Sequence, residues 1–182
     1  QADPQESIAI LVRSRRHAAN ILAQLDRLKQ HKDRYRYRAV QFNPLGETLL
    51  VQDLVSLTLA LLQPSDRLAW LSVLRAPYLG LDLADMEQLA NKEGADSLPE
   101  SIQSPGPGIS EDGIQRLSRA APVFAAAAAR CGKRAVRSMV ESAWLQLGGP
   151  ACINNHSELD VAATYFDLLE KLEDEGLPID RE

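Results

Sequence analysis

Cysteine is nearly missing from this 182-residue chain, with Cys131 and Cys152 the only two. Two thiols cannot build a disulfide framework, and these lack metal-site spacing. Packed or surface thiols in a reducing cytosol, and hence a cytoplasmic protein, are the expectation. The three histidines, His17, His31 and His156, are scattered without paired ligand spacing, so no metal is expected. No apolar run reaches the ~20 residues that cross a bilayer, and QADPQES, residues 1–7, lacks the basic-then-apolar layout of a signal peptide. No membrane partner is expected. There is no GxxxxGK(S/T) phosphate loop and no GxGxxG, no GxSxG, and no cysteine with a histidine placed to activate it. No repeat of 20–50 residues is visible. Aromatics make up 5% of the residues, so the core must be mainly Leu, Ala and Val. With no complete catalytic constellation, the residues alone describe a soluble, helix-rich binding module.

Charge is what the chain has unevenly. The formal balance is −5, yet residues 13–38 hold nine Lys or Arg against Asp26 and Asp33. A basic block in an acidic remainder is the footprint of a polyanion partner or, more plainly, of a solvated basic helix face. The run SIAILV, residues 7–12, reads as a strand buried on both faces, and Arg13, Ser14, Arg15 and Arg16 follow it directly. Ligands of α/β proteins bind at the carboxyl ends of strands. Arg13 with Ser14 and the first amides of a helix can hold a phosphate there. An incidental pair between Arg13 and a surface acid is the competing reading.

Patterning sets out the organisation. Ala18, Ile21, Leu22, Leu25 and Leu28 share one helical face between Arg15 and Lys32. Tyr35 to Phe42 alternates with Arg34, Arg36 and Arg38, suggesting a second strand over Tyr37–Phe42. Strand, helix and strand make one βαβ unit. Helical periodicity then runs without strands: Glu47–Leu62, Asp66–Arg75 with Ser65 as N-cap, Asp82–Lys92, Ser110–Arg130 with a kink or break at Pro122, Lys133–Leu147, and a last helix capped by Ser157 to Glu175. Residues 95–109, rich in Pro, Gly and Ser, read as a loop. The expected fold is mainly α (α+β): a βαβ piece over residues 1–45, followed by an all-helical subdomain over 46–182. A truncated sheet would leave a strand edge seeking a partner, so self-association through residues 1–45 is expected.

In this order the segments resemble a known family. SIAILVRSRRHAANILAQL (7–25) is similar to motif IV of UvrD/Rep-type DNA helicases. YRAVQFNPLGETLLVQDLVSLTLALLQPSDRLAWLSVLRAPYLGL (37–81) resembles the segment that follows it there, with an xDLxxLxxxLxxPxD helix and an RxPxxGL turn. VESAWLQLGGPAC (140–152) looks like the subgroup of exonuclease V beta subunits, the RecB- or AddA-like helicase–nucleases. The resemblance implies the start of a second RecA-like motor domain plus the helical subdomain inserted into it, since no THxxKGLEF-type segment is present. It implies ATP and Mg in the intact parent, with none in the fragment, which is expected to be inactive alone. DNA and the remaining helicase domains are the implied partners.

The same resemblance assigns residues. Arg13 takes the place of the motif IV arginine that contacts the ATP γ-phosphate. Arg75 and Gly80, in the turn that contacts the duplex backbone in the family, are candidate DNA contacts, with Arg15 and Arg16 of the basic block. The turn's second family glycine is replaced here, and Glu47 and Thr48 stand where the family often has an arginine. Asp53 matches the family pattern, though a helix-end or packing role is plainer. Trp70 and Trp144 are matched too, and core packing is the plainer role than a stacking platform for a single strand. The rival class is a non-enzymatic, helical protein–protein interaction module.

Overall fold

The computed structural model describes residues 48–92, 97–153 and 156–176, with positions 10, 12, 21, 24 and 25 before them. The chain divides into two units, Gln1–Pro44 and Leu45–Glu182. In the first, Ile21, Gln24 and Leu25 are helical.

The expected βαβ piece is corrected: among the described residues there is no strand. Ile10 and Val12, inside the expected first strand, have irregular backbone, and Ile10 is 57% exposed. The second expected strand, Tyr37–Phe42, lies outside the described residues. A short apolar run carries no period of its own. A strand also depends on a neighbour's ladder and on a covering layer, and among the described residues the only regular elements are helices. The residues expected to self-associate, 1–45, lie almost entirely outside the described residues.

In the second unit every regular element among the described residues is a helix. Helix α1, Leu49–Leu62, starts at Thr48, whose hydroxyl accepts from the Val51 amide at 3.3 Å. Val51, Leu54, Leu57, Leu59 and Leu61 are all buried, so α1 is enclosed on most of its circumference. It packs against α2 (Arg67–Arg75), α5 (Glu111–Arg130), α6 (Val136–Gln146) and α7 (His156–Asp174). Between them lie α3 (Leu83–Ala90), the short α4 (Leu98–Gln103), and a 3-10 turn at Gly149–Cys152.

Local chemistry sets the ends. Asp66, rather than Ser65, caps α2, its carboxylate accepting from Ala69 N at 2.9 Å. Asp82 caps α3 through Ala84 N at 2.7 Å. Ala76 leaves the helical region because Pro77 follows it. Residues 98–103, expected as loop, form α4: Pro99 stands in its first turn, and Leu98 and Ile102, four apart, are both buried. α5 continues through Pro122 rather than breaking. Pro122 and Ser118 are both exposed, so the carbonyl that loses its donor faces water. α7 begins at His156, which puts Ser157 inside the helix rather than at its cap.

Aromatic residues fill the junctions around α1. Trp70 meets Phe124 of α5 edge-on at 5.0 Å between ring centroids. Trp144 lies 5.7 Å from Phe166 of α7. Both tryptophans are buried, so core packing is their role. Thr58 donates to the Leu54 carbonyl, and its hydroxyl lies 2.7 Å from the Tyr165 hydroxyl across α1 and α7. Burial pushes the Tyr165 phenol up to about 12, partly offset by this hydrogen bond.

A buried carboxylate joins α3 to α5. Asp85 is 3% exposed. It accepts from Ser110 N at 2.7 Å and from the Ser110 hydroxyl at 2.6 Å. The same hydroxyl accepts from Gly113 N at 2.9 Å and so caps α5. A negative charge at a helix N-terminus is favourably placed. The fit leaves no room at position 113: a Cβ there would lie 2.2 Å from Asp85 Oδ2.

Candidate nucleic-acid interface

The turn after α2 is the candidate site for which structure is described. Arg75 ends α2 and is exposed. The chain then folds back on itself: the amides of Leu79 and Gly80 donate to the Ala76 carbonyl at 2.9 and 2.7 Å, and Leu81 N donates to Leu74 O at 2.9 Å. Gly80 has φ +60, a left-handed backbone that side chains disfavour. These amides are therefore already paired within the turn. What the missing Gly80 side chain admits is Arg116, whose Nη1 would lie 3.1 Å from a Cβ there.

Arg116 and Arg119 come from α5, one helical turn apart. Arg116 Nη1 donates to the Leu79 carbonyl at 2.9 Å, and its Nε meets Asp112 at 2.5 Å. Arg119 Nη2 donates to the Tyr78 carbonyl at 3.4 Å. Two guanidinium groups thus sit on adjacent carbonyls of one turn. Neither residue is among the sequence candidates. Their spacing of three was legible as a shared face in QRLSRA, but the turn that receives them lies 37 and 41 residues away in the chain.

The other flank of the turn faces α1. The Tyr78 hydroxyl reaches the Asp53 carbonyl at 3.5 Å, and its ring is buried. Burial, with Asp53 and Cys152 nearby, pushes the phenol above its ordinary range. Asp53 is half-buried. Desolvation raises its carboxyl above the usual value, and the Arg75 guanidinium pulls it back in part. Arg75 thus works partly against an acid of its own unit. Of the other candidate residues, Arg13, Arg15 and Arg16 lie outside the described residues. Cys131 and Cys152 are both free and exposed. No described helix is long and apolar enough to cross a membrane.

No family model, curated protein or solved structure matches the chain.

Proposed function

We propose that this chain is part of an ATP-dependent DNA helicase of the UvrD/Rep type, in the helicase–exonuclease branch that serves DNA repair and recombination. In this reading the unit Leu45–Glu182 is a helical subdomain that meets the DNA duplex, and Arg13 supplies a contact to the ATP γ-phosphate in the assembled motor. ATP and Mg belong to the other domains of such a helicase, and DNA and those domains are its partners in the cytoplasm. The observation that carries the reading is the set of three arginines, Arg75, Arg116 and Arg119, gathered at the 75–81 turn. That is the turn which the resemblance marks as the duplex contact.

An electrophoretic titration of the whole chain with forked DNA, at two salt concentrations, tests it. The expected result is binding whose affinity falls steeply as salt rises, because neutralised phosphates release condensed counterions. Absence of binding at low salt, or an affinity indifferent to salt, overturns the reading.

A further inference from the structure

We infer that Arg119, with Arg116 beside it on α5, is the main phosphate-contacting group of this surface, and that Arg75 is secondary. The inference rests on the nucleic-acid reading above and names the residues that would carry it.

The argument is one of counter-charge. Arg137, between α6 and α7, faces Asp167 at 2.9 Å, Glu141 at 3.6 Å and also Glu170. Its charge is spent within the protein. Arg75, like Arg119, has no carboxylate within ion-pair distance among the described residues, but no hydrogen bond there holds its guanidinium in place. Arg116 shares itself between the Leu79 carbonyl and Asp112, a carboxylate 66% exposed. Arg119 is held only by the Tyr78 carbonyl, and among the described residues no carboxylate lies within ion-pair distance of it. A carbonyl orients a guanidinium without neutralising it. Arg119 therefore keeps its full charge, is exposed, and is already positioned, which lowers the ordering cost of meeting an anion.

Two further features point to a phosphodiester. Arg116 and Arg119 hold two guanidinium groups on neighbouring carbonyls of one turn, which presents two cationic donor groups side by side. Guanidinium forks match the two free oxygens of a backbone phosphate. The unit around them carries 21 acids and 11 bases, so its net field repels a polyanion. Contact must then be made at a local cationic point rather than by the unit as a whole.

The test is a fluorescence anisotropy titration of a forked duplex by the whole chain across a salt series. It compares Arg119→Gln, Arg119→Lys, Arg75→Gln and the control Lys171→Gln, with helicity checked by circular dichroism. Arg119→Gln is expected to weaken binding at low salt by roughly 5-fold and to lower the slope of log affinity against log salt by about 1. Arg119→Lys keeps the wild-type slope while losing part of the affinity, which ties the effect to charge rather than to folding. Arg75→Gln and Lys171→Gln change affinity by less than about 2-fold on the same scale. If the wild-type chain binds DNA and Arg119→Gln matches Lys171→Gln, the inference fails and the nucleic-acid reading survives. If the wild-type chain ignores DNA, or takes an acidic protein ligand instead, both fail together.

Discussion

Two seams of the helical unit are fastened by charged side chains, in opposite surroundings. Between α6 and α7, Arg137 gathers Glu141, Asp167 and Glu170, all of them more than a third exposed. Between α3 and α5, Asp85 is buried and takes two hydrogen bonds from one residue, Ser110. The first seam has more ionic contacts, yet the second should hold more of the fold. Water competes for every exposed pair and salt screens it. A buried carboxylate has no such competitor, and losing its partners leaves polar groups with nowhere to turn. The number of ionic contacts is a poor guide to which seam matters.

The comparison breaks most readily at Gly113. A glycine-to-alanine change in a helix ordinarily stabilises by up to ~1 kcal/mol. Here the new methyl would meet Asp85, so Gly113→Ala is expected to destabilise by about 3 kcal/mol. Removing the carboxylate in Asp85→Ala should cost about 2 kcal/mol, because Ser110 loses the acceptor for its amide and its hydroxyl. The two changes should not add: once Asp85 is alanine, the closest obstruction at 113 is gone and only the Ile109 side chain, 2.9 Å away, must shift. Urea unfolding of the two single variants and the double variant measures all three quantities. Additive losses would mean that the contact at 113 is not with Asp85.

A smaller effect, of the opposite sign, is expected at Asp53. Its carboxyl is raised by burial, so the folded state binds a proton more readily than the unfolded chain does. Its charged form therefore weakens the fold at neutral pH. That weakening fades as the pH falls through the raised value toward the ordinary aspartate value of about 3.9. Asp53→Asn should melt higher than wild type at neutral pH, and its advantage should shrink on acidification. Thermal melts across that pH range give the sign directly, and an advantage that grows toward acid would contradict it.

Arg137→Ala should have the smallest effect. Its partners are exposed, and the melting midpoint is expected to stay nearly unchanged at moderate salt. A large drop in a thermal melt at high salt would show that this seam, too, is sheltered from water.

The helices could be read from the sequence because their signals are local. Leu54, Leu57, Thr58 and Leu61 recur at helical spacing, Asp82 and Ser110 stand where caps belong, and the observed bounds fall within a few residues of those expected. α4 escaped because six residues with a proline form a helix only when Leu98 and Ile102 have something to bury against. The strand expected at residues 7–12 was an apolar run without period, and composition could not say whether a partner existed for it. Asp85 looked like any acid on a helix, since nothing in LADMEQLA marks one aspartate as buried. At the candidate interface, Arg75 and Gly80 were visible through their turn signature. Arg116 and Arg119 reach it only through the packing of α5 on that turn.

The tryptophan placement has an optical consequence. The chain's only two indoles, Trp70 and Trp144, both belong to the unit Leu45–Glu182; both are buried, and neither N–H has an acceptor among the described residues. Emission excited at the red edge of the absorption band should therefore be blue-shifted and should report that unit alone. The segment Gln1–Pro44 carries Tyr35 and Tyr37 but no indole, and it is silent at that wavelength. Ellipticity at 222 nm sums over both units, so the two traces superimpose on a denaturant axis only if the units unfold as one cooperative system.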